Sequence, residues 1–391
     1  MTRGPGGVRL PDGHRVAPMS DGSTAIVAPQ PLTRYLASVF GRPVEITALR
    51  PLGGVAAEDP KGFGYGSPFE VVCRVGGVER MFVVSRTRPA QGFGHDYAAD
   101  RAWQALYGHG AYNTFPAHVR SFDVGILRGN GEAVSVADAT DFFQLVEKAD
   151  GELYWRDLDR LVTEPLRPLD TRRATSLARF LAEAHAMKRH QPALYHRRIR
   201  ELVGHGECVM GILDSYPHPY APLPPAACEE MERALVSWRW RLRNRVHRLS
   251  RVHGDFHPWN LLFGEGTSLS VLDRSRGEWG EPADDVAALA VNYLFFGVRK
   301  AAREGERGIA EPFRSLFHGF VTTYVRESGD YEIYETLPPF FAFRALVLGH
   351  PRWYPDLSPE VRGEMIHFAR CMAVAARFDP AEVSWPGGVA G

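Results

Sequence analysis

The sequence predicts an α+β, bilobal chain: a small β-rich N-terminal lobe followed by a larger, mainly helical C-terminal lobe. Three observations predict it. The chain has 391 residues, too many for one small core. β-branched runs at 44–52, 69–75 and 80–86 crowd its first third. From residue 151 onward, apolar side chains recur at helical spacing.

The elements follow in order. Residues 1–30, rich in Gly, Pro and Arg, read as a flexible N-terminal extension. The N-lobe takes 31–148. In it VEITALRPL (44–52), FEVVCRV (69–75) and RMFVVSR (80–86) are strands, and Gly76-Gly77 marks a tight hairpin between the last two. DYAADRAWQALYGH (96–109) has helical composition, and FFQLVEKADG (142–151) reads as an apolar strand ending in Asp-Gly. The C-lobe takes 149–391. Leu177, Leu181 and Ala184 form one helical stripe, and Leu235, Trp238, Leu242, Val246 and Leu249 form another. The run 285–298 is apolar all round, as in a helix at the centre of a lobe. Further helices are expected over about 339–349 and 359–377, the latter capped by Ser358-Pro359.

Bulk properties exclude several functions. Lys+Arg and Asp+Glu balance at 46 each, so no basic footprint points to a nucleic-acid partner. Cys73, Cys208, Cys228 and Cys371 form no CxxC pair, which argues against structural zinc or a disulfide framework and for a cytoplasmic location. The first twenty residues hold no apolar run, so no signal peptide is expected. The run 286–298 is too short to span a bilayer, so no membrane partner is expected either. The oligomeric state is not legible.

The chemistry concentrates in VHGDFHPWNLLF (252–263), with two histidines, an aspartate and an asparagine within 253–260. His253 and His257 stand i, i+4, but Gly254 and Pro258 disfavour the helix that would bring them together as metal ligands. Phosphoryl transfer needs one carboxylate to orient the attacking hydroxyl. It also needs an amide and a second carboxylate to hold Mg²⁺ against the phosphates. Asp255 and Asn260 supply the first two, five positions apart. FGEG (263–266) then turns the chain, LSVLD (269–273) returns it, and Asp273 ends the strand 18 residues after Asp255.

These residues resemble the aminoglycoside phosphotransferase and choline kinase-like family, a branch of the protein-kinase-like fold. The shared pattern is H-G-D-x-x-x-x-N, a strand ending in Asp, and G-x-P-x-x-D. It reads here as His253-Gly254-Asp255, Asn260, Asp273 and Gly280 to Asp285. The resemblance implies a small-molecule O-phosphotransferase using ATP (or GTP) and Mg²⁺, with an aminoglycoside- or amino-alcohol-like acceptor. By carry-over Asp255 is the catalytic base and His253 braces its loop. Asn260 and Asp273 bind Mg²⁺, and Asp285 bonds back to the loop.

For the nucleotide, the resemblance implies the glycine loop Gly62-x-Gly64-x-Gly66-Ser67, with Leu52-Gly53-Gly54 as an alternative, and a hinge around Glu147. There is a departure on the third strand, where Ser85 stands in place of the family's Lys or Arg. Arg86, one residue on, serves only if a register shift or bulge turns it round. The acidic partner is Asp100, with Asp96 second. Glu278, Glu281 and Asp284 are candidates for a cationic acceptor, and Arg274 and Arg276 for phosphate or an anion. The rival readings are a degenerate, nucleotide-binding pseudokinase and a metal-dependent hydrolase built on His253, Asp255 and His257.

Overall fold

The computed structural model describes residues 28–52, 66–89 and 93–380. They fall in two units. One comprises the described residues within Met1–Ala90 and Tyr97–Gln144, the other those within Gln91–Asp96 and Leu145–Gly391. The first is β-rich and the second mainly helical, the α+β division of the bilobal protein-kinase-like fold.

The first unit opens with helix α1 (Pro29–Phe40), which falls largely where the N-lobe was expected to begin. Its Leu32 and Leu36, one turn apart, are buried, and Gly41 ends the helix in the left-handed conformation with φ 61°. Strands β1 (Val44–Pro51), β2 (Gly66–Val75) and β3 (Val78–Thr87) form an antiparallel meander. Gly76 and Gly77 join the last two with φ 56° and 85°, the pair of positive values a tight two-residue hairpin requires. Leu32, Leu36 and Val71 centre a small core, against which Phe40, Ile46, Phe82 and Val84 pack. Helix α2 (Ala98–Thr114) and the hairpin of β4 (Gly125–Leu127) and β5 (Ala133–Ser135) complete the unit.

The strand expected over 142–151 does not form. Residues 142–150 are irregular, and Phe143 and Leu145 are 95% and 92% exposed. An apolar run becomes a strand only if another backbone pairs with it, and here only β6 (Glu152–Leu153) is paired.

The second unit continues with α3 (Tyr154–Leu161), α4 (Pro168–His185), α5 (Pro192–Gly204), α6 (Val209–Ser215) and α7 (Pro225–Leu242). Next come β7 (Ser250–Arg251), β8 (Leu261–Phe263), β9 (Leu269–Val271) and β10 (Trp279–Gly280). The chain closes with α8 (Pro282–Glu304), α9 (Phe313–Ser328), α10 (Ile333–Gly349) and α11 (Pro359–Val374). β6, β8 and β9 make one antiparallel sheet, and β7 pairs with β10. Ser358 caps α11 by accepting from Val361 N–H.

The stripe expected to run from 235 to 249 is helical only to Leu242. Leu249 is still fully buried, but it follows a 3₁₀ turn, Val246–Arg248. Arg248 turns inward there and pairs with Glu281 and Asp330, so the arginines of 239–251 do not share one helix.

Helix α8 is the hub. From Asp285 through Val298 every residue is buried, so this stretch has no solvent face. Its first turn carries Asp284 and Asp285, which places two carboxylates at the positive end of the helix dipole. Leu289→Ala, at a fully buried position of this helix, is expected to cost about 2–5 kcal/mol of unfolding free energy in urea titration.

Candidate active site

The loop between β7 and β8 is held from below by one carboxylate. Asp285 accepts from the backbone N–H of His253 and of Gly254, both at 2.7 Å. Its Oδ2 also lies 3.1 Å from His185 Nε2, and His185 Nδ1 lies 2.9 Å from the Tyr324 hydroxyl. With its proton on Nε2, His185 donates to Asp285 and accepts from Tyr324, so every group in the chain is satisfied. Burial opposes ionisation of Asp285, but the bonds from His185 and from the His253 backbone hold its carboxyl below the usual range.

Gly254 is required where it stands. Its φ is 89°, and a Cβ there would lie 2.9 Å from Gly277 N. His253 then ties the loop to the next segment. Its Nε2 is 2.8 Å from Leu272 O, and its Nδ1 accepts from Asp255 N–H at 3.2 Å. Asn260 donates to Asp255 O at 3.0 Å, and its own carbonyl accepts from Leu272 N–H at 2.8 Å. The loop carrying Asp255 and Asn260 and the segment after β9 that carries Asp273, two residues past the strand expected to end there, are thus bonded together. Asp273 is exposed, with φ 50°, a left-handed conformation Asp tolerates better than most residues, and accepts from Ser275 N–H at 3.2 Å.

Sequence reasoning missed Arg344. It lies on α10, 7% exposed, and its guanidinium joins Asp255, Asp284 and the Gly254 carbonyl. Burial alone would raise the Asp255 carboxyl. Arg344, together with His257 at 3.4 Å, overrides burial and holds it far below the carboxylate range. Burial keeps the Asp284 carboxyl raised in spite of the same arginine. A signal was present: FFAFRALVLG (340–349) contains one charge in an otherwise apolar run, and a charge on a buried helix must find a partner.

Other candidates are already engaged. Glu281 is buried, takes Arg248 and the Tyr195 hydroxyl, and caps α8, so it is withdrawn as an acceptor ligand. Arg274 donates to the carbonyls of Val252 and Glu278 and braces the loop. Glu278 is exposed, and Arg276 lies over the Phe343 ring.

The sequence profile of the phosphotransferase enzyme family matches residues 68–313, more than half the chain. The chain belongs to the phosphotransferase enzyme family. No curated protein matches it in sequence. Similar solved structures include a glucosamine kinase with glucosamine, ADP and phosphate, 18% identical over 57% of this chain and 59% of that one, TM-score 0.32. An amicoumacin kinase is 14% identical over 86% and 92%, TM-score 0.40. A macrolide 2'-phosphotransferase from Brachybacterium faecium is 13% identical over 88% and 97%, TM-score 0.29. Similarity at this level identifies no acceptor.

The nucleotide candidates of this family member lie mostly in the first unit. Gly62 and Gly64 are outside the described residues, while Gly66 and Ser67 begin β2. Ser85 and Arg86 lie near the end of β3, whose pairing with β2 runs from Gly66↔Thr87 to Val75↔Val78 without a shift. The bulge that Arg86 needed is not there. Arg86 shares the face of Phe82 and Val84, and Ser85 the opposite face with Met81 and Val83. Asp100 accepts from Tyr97 N–H at 2.8 Å at the start of α2, and Asp96 pairs with Arg197 in the second unit. Glu147 is exposed in the irregular stretch before β6. Among the described residues no helix is long and apolar enough to cross a membrane.

Arg344→Met tests the electrostatic arrangement. It leaves Asp255 and Asp284 without their cation and should cost about 3–5 kcal/mol at pH 7. The wild-type contribution from Asp255, whose folded pKa is depressed, is present above the unfolded carboxyl pKa of about 3.9 and lost as pH falls below it. In the variant both carboxyls take up protons more readily. The stability gap should therefore narrow as pH falls toward 4. A gap independent of pH in paired denaturation curves would contradict the role given to Arg344.

Proposed function

We propose that this chain transfers the γ-phosphate of ATP or GTP to a hydroxyl of a small aminoglycoside- or amino-alcohol-like acceptor. The observation that carries the reading is the Asp255 carboxylate, kept ionised by Arg344 on a loop that Asp285 holds rigid. An ionised carboxylate is an acceptor only. With Oδ1 committed to Arg344, Asp255 Oδ2, which also faces His257 Nε2 at 3.4 Å, keeps a lone pair for the acceptor O–H. Its low basicity suits a loose transition state, where orienting the hydroxyl matters more than early removal of its proton. The proton passes to Asp255 late, as the new O–P bond forms.

The donor set fits magnesium. Asn260 and Asp273 offer hard oxygens, and Mg²⁺ is ordinarily held by one or two protein groups with phosphates and water completing the shell. When bound, the ion would offset phosphate charge.

A nucleotide-binding pseudokinase is the second reading, favoured by Ser85 on an unshifted strand. The hydrolase reading loses support because both ring nitrogens of His253 are engaged.

Asp255→Ala is expected to reduce acceptor-dependent product by at least about 10²-fold while leaving nucleotide affinity largely intact. Surviving transfer would remove Asp255 from the mechanism, and no transfer by the wild type with any acceptor would favour the pseudokinase. Asn260→Ala and Asp273→Ala should abolish most of the magnesium-dependent thermal stabilisation by nucleotide. Unchanged stabilisation in both would end their assignment as metal ligands.

A further inference from the structure

We propose that an aromatic basin flanking the candidate catalytic loop is an acceptor subsite, and that it takes the aryl ring of an aryl-bearing amino alcohol. The inference deepens the phosphotransferase reading and rests on it. The basin has a volume of about 630 Å³, within the range of small-molecule sites. It lies wholly in the second unit.

Its lining is aromatic. Phe295 and Phe296 of α8 are buried beneath it. Trp155 of α3 and Trp259 of the catalytic loop stand parallel, with centroids 6.1 Å apart and planes at 12°. Tyr354 meets Trp259 edge-on at 6.0 Å, and Trp353 beside it is 46% exposed. Trp155 and Trp259 are partly exposed as well. Three indoles left in part to water around one concavity offer an aryl ring both apolar area and faces or edges to stack on.

The basin adjoins the chemistry. Trp259 immediately precedes Asn260, and its ring meets His257 at 5.9 Å. His257 Nε2 in turn lies 3.4 Å from Asp255 Oδ2. Trp259 and His257 thus connect the aromatic surface to the Asp255 carboxylate.

The charges select an amine. Arg299 covers the rings of Phe295 and Phe296 but is paired with Asp159 at 2.9 Å. Asp356, Glu360 and Arg303 also line the cavity without an ion pair among the described residues, so carboxylates outnumber guanidinium groups in the lining. Carboxylates and indole faces both attract an ammonium group.

The test uses a matched pair, phenylalaninol and alaninol, which differ by the phenyl ring alone. Calorimetric titration of the wild type without nucleotide should show phenylalaninol binding at least about tenfold more tightly, the effect of burying one phenyl group. Trp353→Ala and Trp155→Ala should each reduce that preference severalfold and leave alaninol affinity unchanged. Trp353 is exposed enough for its variant to fold, and the wild-type comparison needs no variant. Equal binding of the two alcohols, or a preference that survives both substitutions, would overturn the proposal. Because nucleotide is left out, absence of phosphoryl transfer would count against the reaction and not against the subsite.

Discussion

The second unit depends on one buried carboxylate. Asp285 is fully enclosed at the start of the buried stretch of α8, and it spends both oxygens on the backbone of the candidate catalytic loop. A charge in that position is tolerable only because it is completely bonded and sits at a helix N-terminus. His185 and Tyr324 extend the bonding to α4 and α9, so three core helices share in fixing the position of His253 and Gly254. The glycines follow from the same closeness: the backbones of 253–254 and 276–277 approach too tightly for a Cβ. The loop is therefore irregular in shape but tied down at each end, a rigid platform for a functional side chain.

Arg344 does different work. A buried ion pair is a poor source of net stability, because desolvation of two charges offsets much of their attraction. What it supplies is a protonation state. Without its guanidinium a carboxyl as enclosed as Asp255 would drift upward and spend part of its time as an acid. Asp284 shares the arginine yet stays raised, so two neighbouring carboxyls are pushed in opposite directions by one environment. The contrast makes Asp255 a steady hydrogen-bond acceptor, which is what positioning an attacking hydroxyl asks for.

Glu281 and Arg274 show how the surrounding polar residues are absorbed. Both lie within a dozen residues of Asp273 and have the right charge for ligands, but Glu281 closes a buried cluster with Arg248 and Tyr195, and Arg274 pins two carbonyls. Polar side chains near a site are often consumed in building it. The groups left over for a ligand are therefore fewer than the composition suggests.

What the sequence by itself determined was local. The spacing from Asp255 to Asn260, the hairpin that returns Asp273 beside them, the Gly76-Gly77 turn and the long apolar run within α8 were legible because each depends on residues near one another in the chain. Tertiary structure decided the rest. The apolar run at 142–150 found no strand to pair with, the stripe past Leu242 stayed in the core but left the helix, and α1 was masked by the Gly- and Pro-rich composition before it. Arg344 joins Asp255 across 89 residues, and Trp155 meets Trp259 across a comparable gap. Such contacts are set by how helices pack, and packing depends on shapes and distances that no local pattern encodes.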